Sequence, residues 1–262
     1  MNIAKIIAIL LFSIFSIKNN CVFSQVQKNY EKKRLISKGN DTLNYRIQNP
    51  INAEKDKKYP LIVFLHGMGN RGADNEKPLK YLPTVFKDSL NNGKYPCYLL
   101  VPQCPKNDVW VDFPDFPKSL IPTEKPTLAS QLTIDLIYKL IESKNIDPQR
   151  IYITGLSMGG EGTFDMIIRK PELFACAVPI CSVSDISKAC LIKDIPTWIF
   201  HGSEDNINDV KYSRLMFEAM KNCGGSPKYT EYQGLKHNSW DRAYSEPDLL
   251  IWMFNQKREI KK

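Results

Sequence analysis

The chain has 262 residues, 43% of them hydrophobic, and a formal charge of +8. That supports one sizeable core and excludes a disordered or collagen-like protein. The sequence pI of about 9.0 is mild, and nothing in the sequence resembles a nucleic-acid-binding module.

The N-terminal stretch reads as an export signal rather than as part of the fold. Lys5 supplies a positive start, Ile6 to Ile17 is an apolar run short for a bilayer span, and Val22-Phe23-Ser24 offers a cleavage site before Gln25. The expected organisation is a signal peptide over 1–24 and one catalytic domain over 25–262, secreted or periplasmic, without stable membrane insertion after cleavage. A retained anchor is the alternative. Removing Lys5 and Lys18 lowers the charge from +8 to +6 (8 − 2). Much of the remaining excess lies in short runs: Lys32-Lys33-Arg34, Lys55 with Lys57-Lys58, and Lys257-Arg258 with Lys261-Lys262. They read as solvated surface, or as an attraction to acidic polysaccharide or membrane.

Residues 28–36 and 43–48, separated by Lys38-Gly39-Asn40-Asp41, predict a leading hairpin. Leu61 to Leu65 is apolar throughout, as a central parallel strand covered on both faces must be. A helix is predicted over Lys80 to Asn91 and a buried strand over Cys97 to Val101. Residues 102–126, rich in proline and aromatics, predict a long loop. Leu128 to Glu142 has helical spacing, with Leu132, Leu136 and Leu140 on one face.

Asp147-Pro148 then turns into the strand Arg150 to Thr154, followed by Gly155-Leu156-Ser157-Met158-Gly159 and a helix over Gly160 to Arg169. A strand, G-x-S-x-G and a helix in that order form a nucleophile elbow. The glycines let strand and helix approach closely, while the turn lifts the Ser157 hydroxyl clear of the sheet. The N–H of Met158 then points from a helix N-terminus to where an oxyanion would form. Strands over Phe174 to Ile180, Pro196 to Phe200 and Lys228 to Tyr232 alternate with helices over Val210 to Lys221 and Arg242 to Asn255. The alternation predicts a mostly parallel sheet with helices on both faces.

A serine hydroxyl needs a base, and the base needs an orienting carboxylate. Of three histidines, only His237 follows both the elbow and a candidate acid in chain order; His66 and His201 end apolar strands and read as loop-holding residues. Asp205, after the strand ending at His201-Gly202, is the candidate acid, with Asp185 as runner-up and Asp209 as a helix cap. Met68, in His66-Gly67-Met68-Gly69-Asn70-Arg71-Gly72, is the candidate second oxyanion donor. Trp110, with Phe113 and Phe116, and Trp240 are candidate substrate walls, or packing plugs.

Six cysteines follow the leader. Cys176 and Cys181 face opposite ways along one strand. Cys181 with Cys190, or Cys97 with Cys104, are conceivable pairs, and buried free thiols are the alternative. No C-x-x-C or clustered His/Cys spacing suggests a metal site.

Leu65-His66-Gly67-Met68-Gly69-Asn70-Arg71-Gly72, Val101-Pro102-Gln103-Cys104-Pro105 with Trp110, Gly155 to Gly160, and His237-Asn238-Ser239-Trp240 together resemble the exported α/β-hydrolases. More narrowly they resemble the esterase and predicted-peptidase group related to polyhydroxybutyrate depolymerases and to the feruloyl and acetylxylan esterases of carbohydrate esterase family 1. The resemblance covers roughly residues 40–255. It implies an α/β-hydrolase fold with no large cap domain, a Ser157–Asp205–His237 triad, no cofactor, and a secreted serine esterase acting on carboxylic esters. Acyl groups on polysaccharide are one substrate class it brings. A peptidase of the prolyl oligopeptidase type and an inactive hydrolase-fold binding protein are the alternatives. Against the first, there is no room for a propeller and no obvious amine-binding carboxylate pair; against the second stands the intact set of Ser, Asp and His. One departure is Glu161, where such proteins often carry an aromatic residue. Its charge suits the helix N-terminus, and it puts aromatic-acyl specificity in question.

Overall fold

The fold, obtained as a computed structural model, describes residues 30–80, 82–91 and 93–259. The leader segment lies outside them. Eight strands form one sheet in the order β1-β2-β4-β3-β5-β6-β7-β8. They are β1 (Glu31–Ile36), β2 (Thr42–Gln48), β3 (Tyr59–Leu65), β4 (Tyr98–Gln103), β5 (Ile146–Leu156), β6 (Cys176–Ile180), β7 (Trp198–Gly202) and β8 (Lys228–Tyr232). β1 pairs antiparallel with β2 and β2 with β4. From β4 across to β8 every pairing is parallel. This is the α/β-hydrolase architecture expected from the sequence, with its antiparallel start.

The inner parallel strands β3, β4, β6 and β7 are buried along their length and so read as largely apolar runs, whereas the edge strand β8, Lys228-Tyr229-Thr230-Glu231-Tyr232, is only partly covered. Their side chains still alternate. Leu61, Val63 and Leu65 of β3 join a core with Ile153 of β5, and with Leu136 and Phe164 from the helices α3 (Leu128–Ser143) and α4 (Met158–Arg169). Ile62 and Phe64 join the opposite core with Tyr152 and Phe86, the latter from α2 (Thr84–Asn91).

Two helices are shorter than their sequence patterns suggest. The helix expected over Lys80 to Asn91 is divided into α1 (Lys77–Lys80) and α2, with Pro83 in the gap. Proline has no N–H to donate and biases the preceding residue away from helix. The last helix is likewise divided into α6 (Trp240–Ala243) and α7 (Leu249–Phe254) around Pro247. Between β7 and β8 lies α5 (Lys211–Asn222). A seven-residue 3₁₀ helix, Ile186–Ile192, has no counterpart in the sequence reading.

It carries half of a disulfide, Cys190–Cys223, with Cα atoms 5.1 Å apart. The pairings conceivable from the sequence do not form. Cys97 and Cys104 sit in the cores on opposite faces of the sheet, and Cys181 is buried while Cys190 is exposed. Cys97, Cys104, Cys176 and Cys181 are buried free thiols. Lys32-Lys33-Arg34 and Lys55 with Lys57-Lys58 are on the surface, where Lys33 pairs with Glu31 and Lys57 with Glu54, and Lys261-Lys262 lie outside the described residues. Among the described residues no helix is long and apolar enough to cross a membrane.

From β3 the chain passes to β4 on one side, then crosses back to place β5 on the other. The carboxyl ends of β3 and β5 therefore flank a topological switch point, where an open α/β sheet leaves a crevice. The loop His66–Met68 leaves β3 there, and Ser157 leaves β5.

Candidate active site

Ser157 is the hinge between β5 and α4. Its backbone lies at φ 54, ψ −123, an unfavourable region for a residue with a side chain. Two features hold it. Its N–H donates to the Ile180 carbonyl of β6 at 2.9 Å. Gly155 and Gly159 bring strand and helix so close that a Cβ on either would fall within the envelope of backbone atoms, of Gly159 and of Leu65 respectively. The G-x-S-x-G spacing is thus a steric requirement of this turn.

His237 Nε2 lies 2.9 Å from Ser157 Oγ. The other ring nitrogen, Nδ1, lies 2.8 Å from Asp205 Oδ2 and 3.0 Å from Oδ1. Because a carboxylate only accepts, Nδ1 carries the proton and Nε2 faces the serine as an acceptor. The loops carrying acid and base are laced together. Glu204 N–H donates to the Leu235 carbonyl at 2.9 Å, and Ser203 N–H to the Tyr232 carbonyl at 3.0 Å.

Asp205 is held by more than its histidine. Oδ1 accepts from the N–H groups of Ile207 and Asn208, both at 2.9 Å. Oδ2 also accepts from His201 Nε2 at 3.0 Å. Burial alone would raise the carboxyl's pKa, but the hydrogen bonds from both imidazoles and both amides outweigh it and hold the pKa far below the usual carboxylate range. Asp205 is therefore an anion whose orientation is fixed. His201 does hold a loop, through Asn208 O at 2.9 Å and Ser213 Oγ at 2.7 Å, but it also grips the acid. Asn208, which the sequence did not single out, joins these parts. Its amide nitrogen donates to Cys181 O at 2.8 Å and to Glu161 Oε1 at 3.3 Å. Its only sequence signal is the Asp-x-x-Asn spacing of a side-chain-capped turn.

His66 is structural. Nδ1 donates to Gly67 O at 2.7 Å, and Nε2 accepts from Cys104 N–H at 3.0 Å. Burial lowers its pKa to about 4, so it stays neutral. Trp110 requires a correction: it is fully buried and lines no part of the site cavity. Its indole N–H donates to His66 O at 3.0 Å, and its carbonyl accepts from the Ser130 hydroxyl. A ring filling the space above Gly162 has no face left for substrate, so Trp110 braces the His66–Met68 loop from beneath. Asp185 is also apart from His237. Its Oδ1 caps the Ile186–Ile192 helix through Ser187 N–H at 3.0 Å.

A cavity of about 730 Å³ opens over Ser157 and His237. Met68 and Met158 both line it, as do Phe113, Phe116 and Trp240. Met158 is the first residue of α4, where an N–H has no intrahelical acceptor. The Trp240 ring stands edge-on to His237, centroids 5.7 Å apart. Phe116, Met68 and Ile207 form a partly exposed apolar rim. Among the described residues no group of three or more His, Cys, Asp or Glu side chains could hold a metal ion.

Glu161 also lines this cavity. Burial raises its pKa from 4.5 to about 7, against the pull of Asn208 and His237. Enclosure thus outweighs any benefit of the helix N-terminus. A carboxyl whose folded pKa exceeds its unfolded value favours folding below the unfolded pKa, and that advantage is lost as pH rises through the folded one. Glu161→Gln should therefore stabilise the fold by about 1–3 kcal/mol above pH 7 and leave it unchanged below pH 4.5. Urea unfolding at the two pH extremes measures this; an equal shift at both would show that ionisation is not the cause.

The chain is similar to known hydrolases. A putative α/β hydrolase, L404, of Acanthamoeba polyphaga mimivirus is 27% identical over 238 residues, covering 82% of this chain and 81% of its own. The crystal structure of a thermostable esterase superposes with a TM-score of 0.82 at 37% identity, covering 89% of this chain and 64% of that longer one. A ferulic acid esterase shares the fold, with a TM-score of 0.63 at 18% identity over 86% of this chain and 98% of its own. The model of the phospholipase/carboxylesterase family matches residues 47–246, which span every strand of the parallel sheet and all three residues of the Ser157–His237–Asp205 array. The chain belongs to the phospholipase/carboxylesterase family of α/β-hydrolases.

Proposed function

We propose that this chain is a secreted serine hydrolase that cleaves carboxylic esters through an acyl-enzyme. The observation that carries the reading is the unbroken hydrogen-bonded array from Ser157 Oγ through His237 to the anionic Asp205 at the floor of an open, partly apolar cleft.

Ser157 Oγ attacks the ester carbonyl carbon as His237 Nε2 takes its proton. The tetrahedral oxyanion is held by the N–H groups of Met68 and Met158. His237 returns the proton to the departing alcohol, leaving the acyl group on Ser157. Water, activated by the same imidazole, then releases the acid and restores the hydroxyl. Asp205 keeps the proton on Nδ1 throughout and stabilises the imidazolium as it forms. This chemistry calls for no cofactor. Trp240 and the Phe113–Phe116 segment form the substrate walls. Export is supported by the leader-like segment 1–24 and by the Cys190–Cys223 disulfide, a bond kept in oxidising compartments. Residues 25–262 then form the mature catalytic domain. The open cleft and the ferulic acid esterase of similar fold support acyl groups carried on polysaccharide as substrate.

Labelling by a fluorophosphonate probe separates a live hydrolase from an inert scaffold, and a panel of simple esters and dipeptides separates esterase from peptidase. His237→Ala should abolish both labelling and ester turnover. The Ser157→Ala/His237→Ala double variant should be little worse than either single one, because the pair acts as a unit. Losses that multiply would show that His237 acts independently of Ser157.

A further inference from the structure

The catalytic cleft carries an unbalanced charge. Among the described residues two carboxylates line it, Asp112 and Glu161, and no lysine or arginine does, although the chain has a formal charge of +8. Its other titratable side chain is His237. Phe113, Phe116 and Trp240 share the lining, and aromatic faces attract organic cations.

The two carboxylates differ. Asp112 is exposed, so water and salt screen it. Glu161 is half-buried and lies one helical turn beyond the nucleophile, its N–H donating to the Ser157 carbonyl at 3.0 Å. Its Oε1 accepts from Asn208 Nδ2 at 3.3 Å. Its Oε2 has no hydrogen-bond partner among the described residues and is not one of the unpartnered oxygens sealed from solvent. It therefore keeps accessible surface, on a residue that lines the cleft.

No cation of the fold neutralises this carboxyl. Glu161 also lines an adjoining cavity of about 360 Å³, where the cations are Arg169 and Lys188. Arg169 is engaged by Asp165 Oδ2 at 2.7 Å and by the carbonyls of Glu124 and Thr123 at 2.6 and 2.8 Å. Lys188 is exposed, and Asp185 and Glu124 add negative charge to the same lining. The groups that pull on the Glu161 carboxyl are Asn208 and His237, and burial raises its pKa to about 7 against them. Above that pH it is an enclosed anion without an ion-pair partner, a costly arrangement that a cation from outside the fold would relieve.

Building on the serine-hydrolase reading, we propose that Glu161 is a specificity residue that binds a positively charged ammonium group of the substrate, carried a few bonds from the ester carbonyl. The carboxylate supplies the charge, and the aromatic lining supplies the faces against which the cation rests. Glu161 selects the substrate and takes no part in moving the serine proton.

The test measures kcat/KM at about pH 8, where Glu161 is ionised, for two pairs of similar shape. β-Alanine ethyl ester against ethyl butanoate puts the cation on the acyl side. Choline acetate against 3,3-dimethylbutyl acetate puts it on the alcohol side. The wild-type protein should favour the cationic member of at least one pair by about 10- to 100-fold, and the pair that responds tells which side of the ester carries the cation. Glu161→Gln keeps an oxygen for Asn208 and loses the charge, so it should bring that ratio near parity. The ratio cancels whatever the variant does to Ser157 and His237, and the variant is expected to be the more stable protein at this pH. Parity in both wild-type pairs overturns the proposal and leaves the hydrolase reading standing. So does a preference that Glu161→Gln leaves intact, whether or not Asp112→Asn removes it. Ethyl 3-hydroxypropanoate turned over as well as the β-alanine ester replaces the cation with a neutral hydrogen-bond donor. If no ester is hydrolysed, calorimetric titration of Ser157→Ala protein with β-alanine ethyl ester and with choline acetate decides. Binding that Glu161→Gln weakens supports the site without the hydrolase reading, and absent or unweakened binding removes it.

Discussion

Ser157→Ala should lower ester hydrolysis on the order of 10³-fold or more, and should abolish fluorophosphonate labelling, with the melting temperature nearly unchanged. The two halves of this expectation rest on different facts. The hydroxyl's hydrogen bond in the structure is to His237 Nε2, at 2.9 Å, and the cleft lies open above it, so its removal leaves no packed void. The unusual backbone of the elbow is held by the Ser157 N–H to Ile180 O bond and by the contacts of Gly155 and Gly159, none of which involves the hydroxyl. The residual activity would be what the oxyanion donors and substrate binding supply alone. Hydrolysis retained within tenfold would remove Ser157 as the nucleophile.

Asp205→Asn should cost on the order of 10⁴-fold in kcat, and the structure gives the reason. One end of the side chain must accept from two backbone N–H groups, those of Ile207 and Asn208. An asparagine therefore turns its oxygen to them and its amino group to the two imidazoles. The amino group donates where the carboxylate accepted, so His237 Nδ1 must give up its proton. Nε2 then carries the proton and meets the serine as a donor, in the tautomer that cannot act as a base. His201 Nε2 is confronted in the same way while it still donates to Asn208 O, so the variant should lose stability too. On a simple ester Asp185→Asn should cost far less, because Asp185 caps a 3₁₀ helix and does not touch His237. A crippling Asp185→Asn with a mild Asp205→Asn would move the acid to the end of β6.

The sequence by itself determined where the inner parallel strands lie, because residues buried on both faces of a parallel sheet are largely apolar. It also determined Ser157, because glycines at that spacing between a strand and a helix answer a local steric demand. His237 and Asp205 were legible through the order of elements and the small number of histidines. Other features depended on residues far apart in the chain. Trp110 and Phe113, three positions apart in one loop, differ in role only because the first meets Gly162 and His66 beneath the site while the second meets open space. No periodicity exists in such a loop to tell a plug from a wall. Cys190 pairs with Cys223 because the Ile186–Ile192 helix packs against α5, whereas Cys97 and Cys104 are divided by the sheet itself. Glu161 fits a helix N-terminus by its position in the sequence. Its raised pKa and place in the cleft arise only once β6, the Asp205–Asn208 turn and the Val111–Phe113 loop close around it, since desolvation belongs to the assembled fold and not to any segment.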